Sequence, residues 1–241
     1  MRRSIRRQLR WLQISTVVTS LVLAAVATAA FRQSAAQSNL HEITVERINV
    51  VDADGTLRLV ISNKERMHPG VIGGKILKRE RPYAGFLFFN DQGDEAGGLT
   101  LKGSERNGTR TADAGLMFDQ LGQDQTIGFE YVEENGSRSA GFKVWDRPDA
   151  PLSDLVEKIN QANAIEGKAE RDAAIARARA GAPKSAQRVF VGKTRDRAAS
   201  VTLADAQGRT RIALSVSADG AASIDFLDAS GKVVKSVGSS K

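Results

Sequence analysis

The chain has 241 residues, a formal net charge of +7 and no cysteine. Its length is sufficient for one or two domains with a core, and the missing cysteines exclude disulfides, thiolate metal sites and thiol nucleophiles. Six of the 35 basic residues lie within residues 1–32, which contain no acid, so the rest of the chain is nearly neutral, with 29 basic and 28 acidic residues. Nucleic-acid binders carry their basic residues on the folded domain, and we therefore expect no nucleic-acid partner.

The amino-terminal segment combines five arginines in its first ten residues with the uncharged run WLQISTVVTSLVLAAVATAAF, from Trp11 to Phe31. As a helix this run is about 31 Å long, close to the ~30 Å hydrocarbon thickness of a bilayer. Its Ser and Thr hydroxyls can hydrogen-bond within their own helix. Arginines before the run and only Arg32 just after it predict a single-pass inner-membrane protein. Residues 1–32 then form a cytoplasmic leader and transmembrane helix, and the bulk lies in the periplasm.

A cleaved signal peptide is the alternative, and it leaves a secreted or periplasmic protein. Small-residue cleavage sites are present at Ala27-Thr28-Ala29 and Ser34-Ala35-Ala36. An apolar region of about 7–15 residues suffices for a signal peptide, and the longer run here favours a retained anchor. A buried core helix is least favoured because the run has no polar face. Both main interpretations predict export of the remaining chain.

The exported part is predicted to be mainly β, built from antiparallel hairpin repeats in a sandwich or a solenoid-like array. Alternation of apolar and polar residues, as in Ile127–Tyr131 and Ile212–Val216, is typical of strands with one face on a core. We divide this part into a tether (33–41), a larger β region (42–149), a helical connector (150–184) and a smaller β-hairpin region (185–241). The pattern leaves open whether the two β regions form one sheet system or two lobes.

One turn pattern occurs repeatedly. VVDADGTLRLVIS (50–62) and TLADAQGRTRIALSV (202–216) share Asp-x-x-Gly-x-x-Arg between apolar runs. Asp opens such a turn by bonding its own backbone, and Gly supplies the positive φ that ends it. The pattern therefore predicts a hairpin unit. Arg58 and Arg211 are expected to point to the solvated face or to reach a neighbouring turn aspartate.

The connector is predicted to be helical, with one apolar stripe formed by Leu152, Leu155, Val156 and Ile159. Beyond Gly167 the segment is alanine-rich and charged, and Gly181 and Pro183 close it. This second half can bury little apolar surface. We expect it to lie on the surface or against a partner.

No catalytic motif is present. GVIGGK is not a phosphate loop, because Pro69 stands where its first glycine belongs and Ile76 replaces Ser or Thr. The two histidines are 27 residues apart without matched ligands, and the acidic turns lack the spacing of a calcium loop, so we predict no metal and no cofactor. A hydrolase using Asp91, Asp94 and Glu95 remains a third hypothesis, which requires two carboxylates in one pocket with separated pKa values. We predict a non-catalytic protein.

Residues 63–82 form a long segment without clear periodicity and with a net charge of +4. Loops longer than about 12–15 residues are usually functional or disordered. Trp145 lies beside Arg147 and Asp149 in VWDRPD. An exposed Trp there can anchor a sugar or a partner, although packing under the following helix is the more common arrangement. The candidate ligand or partner contacts are Arg66, His68, Lys75, Arg79, Tyr83, Trp145 and Arg147.

Four stretches resemble a group of uncharacterised bacterial proteins with an N-terminal membrane segment: ERINVVDADGTLRLVISNK (46–64), AGFLFFNDQGDEAGGL (84–99), VWDRPD and RVFVGKTRDRAA (188–199). The resemblance implies a bacterial envelope setting and carries no activity or site residue. Our leading prediction is a membrane-anchored, non-catalytic binding or scaffold protein, with an envelope protein partner or a homo-oligomeric state. The alternative is a small-ligand or glycan binder that uses the 63–82 loop.

Overall fold

A computed structural model describes residues 2–34, 41–77 and 79–238. Most of the predicted tether (residues 35–40), part of the Ser34-Ala35-Ala36 cleavage site and Lys78 of the basic loop lie outside the described residues. The chain divides into two compact units, Met1–Thr44 and Val45–Lys241. Each unit is described separately.

The first unit contains helix α1 (Arg2–Ser34). Its stretch Ile5–Thr28 spans 24 residues with a mean hydropathy of 1.7 and no burial, which makes it long and apolar enough to cross a membrane. A signal sequence has the same properties. Hydroxyls inside the stretch donate to carbonyls one turn earlier, as Thr16 does to Leu12 at 2.8 Å and Thr19 to Ser15 at 2.8 Å. The prediction of an apolar helix whose hydroxyl groups hydrogen-bond to its own backbone is therefore confirmed.

The second unit is mainly β, as predicted. Its elements in chain order are β1 (Arg47–Val51), β2 (Leu57–Ser62), β3 (Val71–Ile72), β4 (Lys75–Ile76), β5 (Ala84–Phe89), β6 (Glu95–Arg106), β7 (Thr109–Asp119), β8 (Gln125–Glu134), β9 (Ser137–Asp146), α2 (Leu152–Asn163), α3 (Lys168–Ala180), β10 (Ala186–Lys193), β11 (Ala199–Ala204), β12 (Thr210–Val216), β13 (Ala222–Leu227) and β14 (Val233–Gly238). β3 and β4 form a small separate hairpin. The other strands form one antiparallel sheet of twelve strands within the described part of the chain.

Strands join this sheet in the order in which the chain makes them. β9 pairs with β10 across the connector helices, so the two β regions of the sequence share one sheet. Of the two arrangements left open for the β regions, one sheet system or two lobes, the structure has the single sheet system. The small β3–β4 hairpin is the only other sheet among the described residues.

Six turns between strands share one geometry. The carbonyl of the first residue accepts a hydrogen bond from the fourth N–H, and the first N–H donates to the fifth carbonyl. The fourth residue has a positive φ, as in a type I turn followed by a G1 bulge. These positions are Gly55, Gly93, Arg197, Gly208, Gly220 and Gly231. The predicted hairpin unit is confirmed.

Two arginines of the repeated pattern tie turns together. Arg58 contacts Asp52 of its own turn (Nε–Oδ2 2.7 Å) and Asp91 of the β5–β6 turn (Nη2–Oδ1 2.5 Å). Arg211 lies 3.6 Å from Asp205 and donates from Nε to the Leu227 carbonyl at 2.9 Å. The expectation that these side chains reach turn aspartates is confirmed. Exposed pairs of this kind contribute about 1 kcal/mol or less, so they align turns more than they stabilise the fold.

The buried core is small and local. Val60, Leu87 and Phe89 form it on one face of the sheet, with Met67 and Val71 of the 63–82 segment packed over them. Only six apolar residues of the described chain are buried, the others being Leu77, Ala162 and Ala186. Most of the sheet therefore has no second layer formed by the described residues.

Arg197 offers a test of the turn geometry, because it has a φ of 71° at a position where glycine occurs in the five equivalent turns. The left-handed region disfavours side chains, so Arg197→Gly is expected to stabilise the fold by about 0.5–1 kcal/mol. Urea unfolding measures the change. The control is Gly220→Ala, where the added Cβ meets no atom within 4 Å and only backbone strain is introduced. It is expected to destabilise by a similar amount, and equal stabilities of Arg197→Gly and the parent chain would contradict the assignment.

Candidate functional site

The predicted contact residues of the 63–82 segment already make contacts with other residues of the same chain. Arg66 pairs with Glu46 (Nη1–Oε2 3.2 Å), and its carbonyl accepts a hydrogen bond from Arg47 at 2.9 Å. The His68 ring packs edge-on against Phe89 with centroids 5.2 Å apart. These contacts fasten the start of the segment to β1 and to the core.

His68 is positioned for packing. Its Nδ1 accepts a hydrogen bond from the Gly70 N–H at 3.0 Å. Burial, with smaller contributions from Arg47 and Arg81, lowers the pKa of the imidazole below its ordinary value. The neutral ring is therefore the favoured form at neutral pH.

Lys75 and its hairpin are anchored at the end of the sheet. The Gly73 and Gly74 N–H groups donate to the Asp94 carboxylate at 2.9 and 2.8 Å. Lys75 Nζ lies 2.7 Å from Glu157 of α2, and this contact lowers the pKa of Glu157. The lysine thus joins the hairpin to the connector helix and has an acidic partner already.

Arg79 and Tyr83 line a groove of about 240 Å³ together with Glu95 and Met117. Arg81 at its wall donates to both carboxylate oxygens of Glu95, at 2.7 and 3.0 Å. Arg79 Nη2 lies 3.5 Å from the same carboxylate. The positive charge counted in the sequence is therefore partly neutralised by Glu95, which lies outside the counted segment.

Tyr83 and Trp145 each have a cationic neighbour. Lys102 Nζ donates to the Tyr83 hydroxyl at 3.0 Å and lies 4.4 Å from the ring centroid. The Arg147 guanidinium lies 5.6 Å from the centre of the half-buried Trp145 ring. Arg147 also donates to the Gln125 carbonyl. Neither aromatic ring is an isolated exposed anchor.

Asp119, the last residue of β7, is a titratable residue near the groove that was not among the predicted contacts. Burial first, then the nearby Glu95 and Asp124 carboxylates, raises its pKa to about 7, although Arg81 and Arg147 oppose the shift. Its Oδ1 is inaccessible and has no hydrogen-bond partner among the described residues. No spacing in the sequence distinguishes this aspartate from an ordinary turn residue.

The three carboxylates of the hydrolase hypothesis have separate partners. Asp91 is exposed and pairs with Arg58, Asp94 accepts the hairpin amides, and Glu95 pairs with Arg81. Of the three, only Glu95 lines one of the grooves found in the described structure. The arrangement does not supply the two convergent carboxylates that glycoside hydrolysis requires.

The largest unpartnered feature is one face of the sheet. In cross-strand register, one apolar side chain stands opposite another on every neighbouring pair of the twelve strands. We call this the apolar row: Ile48, Ile61, Phe86, Leu99, Leu116, Phe129, Phe142, Val191, Val201, Leu214, Ile224 and Val237. No ionisable residue interrupts it.

A second row runs beside it on the same face. It consists of Val50, Leu59, Phe88, Gly97, Phe118, Ile127, Val144, Val189, Leu203, Ile212, Phe226 and Lys235. The two rows together contain six of the nine phenylalanines of the chain. Phe129 is 57% exposed and Phe118 45% exposed, although they lie on central strands.

The opposite face has a different composition. Thr202, Ala213, Asp225 and Ser236 stand in register there on β11 to β14. On the first strands, Val60 and Leu87 point to this face and are covered by the 63–82 segment. The segment therefore covers the first strands of this polar face and leaves the apolar rows open.

Comparison with protein-family models and with curated proteins found no match to this chain. The candidate site consequently rests on its geometry and chemistry. Three surfaces remain in the described structure: the small groove whose charges are partly paired, a cleft of about 500 Å³ beside the connector helices that Arg147 and Lys158 line, and an uncovered apolar face that extends across the whole sheet.

The raised pKa of Asp119 predicts how stability depends on pH. The unfolded aspartate ionises near pH 4, whereas the folded one keeps its proton to about pH 7, so this residue favours the folded state less as the pH rises through that interval. Thermal unfolding between pH 5 and pH 8 is expected to show a falling Tm that Asp119→Asn flattens. Comparing the two profiles removes the contribution of His68. Parallel profiles would contradict the shift.

Proposed function

We propose that the protein is a membrane-anchored, non-catalytic binding or scaffold protein of the bacterial envelope, and that a protein partner covers the apolar face of its sheet. The apolar row is the observation that carries this proposal. It continues across all twelve strands, and Phe129 near its centre is 57% exposed. The resemblance of the chain to bacterial proteins with an N-terminal membrane segment supports the envelope setting.

The size of this face argues for a partner. Strand spacings of about 4.8 Å and same-face spacings of about 6.8 Å give two rows across twelve strands an area of roughly 800 Å². Monomeric soluble proteins rarely expose contiguous apolar patches beyond roughly 300–600 Å². Sheets also bury one face against a second layer, which this chain does not supply among its described residues.

The paired charges near the 63–82 segment favour this proposal over the small-ligand alternative. Glu95 forms an ion pair with Arg81 and lies near Arg79, and Glu157 forms an ion pair with Lys75. An anionic ligand in the groove would have to compete with these carboxylates. The groove of about 240 Å³ is also smaller than the 300–1,000 Å³ typical of small-molecule sites.

Helix α1 is proposed to be a retained anchor with a cytoplasmic amino terminus. Five arginines precede the uncharged run from Trp11 to Phe31 and only Arg32 follows it closely, as the positive-inside rule requires for a cytoplasmic amino terminus. Mass spectrometry of the protein from bacterial membranes is expected to recover peptides from Arg2 to Arg10. A mature terminus near Ala30 or Gln37 would instead show cleavage, and the protein would then be a secreted or periplasmic one.

Thiol labelling tests whether the apolar face is covered, because the chain has no cysteine of its own. We expect Phe129→Cys in the full-length, membrane-bound protein to react with a water-soluble maleimide at least about tenfold more slowly than Ser104→Cys, since an interface core excludes water. Ser104 is exposed on the polar face of β6 and is the matched control. Both variants should react equally after denaturation.

One result of this labelling experiment would contradict the proposal. Equal labelling rates in the native membrane would show that water reaches the apolar face. The proposal of a covered binding face would then fail.

A further inference from the structure

We infer that the surface covering the apolar face is a second copy of this chain, so that two sheets stack face to face through their apolar rows in a symmetric dimer. This inference rests on the proposed function and names its partner. It commits to self-association, whereas the proposed function requires only that some protein covers the face.

The area of the two rows is the first argument. Roughly 800 Å² per partner corresponds to about 1,600 Å² in total, which is the standard size of a stable protein interface. Two antiparallel sheets that pack through apolar faces leave a core about 10 Å thick, as in a β-sandwich. A dimer would therefore supply the second layer that each chain lacks.

Shape is the second argument. Twelve strands extend over about 55 Å, and each strand is rotated from its neighbour by roughly 20–25°. A partner must follow this twist over the whole length to cover both rows. An identical sheet has the same length and the same twist, and a two-fold axis makes the contact self-complementary.

Charge is the third argument. The apolar row carries no ionisable residue, and the second row has one, Lys235, on the edge strand β14. Two copies can therefore meet over most of the face without opposing like charges. The aromatic side chains Phe118, Phe129 and Phe142 lie near the middle of the sheet, where residues that dominate binding energy are usually found.

Crosslinking of the full-length protein in its membrane tests the dimer. Phe129 lies on β8, beside the centre of the strand order. If two copies cover both rows completely, the two-fold axis passes through the middle of the rows and Phe129 faces its own symmetry mate. We expect prolonged incubation of Phe129→Cys with an uncharged bismaleimide about 8 Å long, which compensates for the slow reaction at the covered face, to give a product of twice the 25.9 kDa chain mass. Ser104→Cys, on the polar face, is expected to give none.

Two neighbouring substitutions on β11 provide the matched control. Leu203 belongs to the second row and is 43% exposed, whereas Thr202 points to the other face, opposite Phe190 and Ala213. In the Phe129→Cys background, Leu203→Asp is expected to reduce the crosslinked product at least about tenfold, because it places an unpaired carboxylate in the interface. Thr202→Asp adds the same charge and is expected to leave the product unchanged.

Each other outcome overturns the inference in a recognisable way. A Phe129→Cys thiol that is protected from maleimide but crosslinks to a different protein, or to none, excludes self-association and leaves the proposed function standing. Products from Ser104→Cys, or equal losses with both aspartate substitutions, would show that the contact does not involve the apolar rows. A freely labelled Phe129→Cys overturns both proposals.

Discussion

The structure depends on cross-strand contacts between apolar side chains on one face of a single sheet. Each inner strand is held by hydrogen bonds to its two neighbours. Side chains that stand directly opposite one another, such as Phe129 and Phe142, whose ring centroids are 5.3 Å apart, add to this. In a sheet without a second layer these pairs are the main unit of stabilisation. They also fix the register, because a slip by one residue would turn every apolar side chain to the polar face.

The turns set this register through residues that are close together in the sequence. Most connections in the meander are tight turns whose first residue bonds the fourth and fifth, so consecutive strands are placed by neighbouring residues in sequence. Each hairpin contacts the next one, as in repeat proteins whose units interact only with their neighbours. The two long connections, residues 63–82 and the connector helices, are the places where the chain leaves the sheet and returns to it.

This locality explains how much the sequence predicts. Period-two alternation and the Asp-x-x-Gly turns predict strands, hairpins and the mainly β class, because both depend on residues close in sequence. The pairing of β9 with β10 depends on residues separated by the connector, and no local pattern reports it. The apolar row is invisible for the same reason, since its existence depends on eleven successive registers. His68 packs against Phe89 and Lys75 pairs with Glu157. These partners are distant in sequence, so no spacing of residues predicts the contacts.

The two faces of the sheet differ in which interactions they can make. On the polar face, a segment with a net charge of +4 meets Glu95 and Glu157, so the charge that the sequence displays is partly cancelled by residues outside the segment. On the apolar face nothing within the described chain plays the corresponding part. Charges are easily satisfied by one or two neighbours, whereas an apolar surface of this extent requires another surface of similar shape. We therefore expect the partner to bind to the apolar face of the sheet.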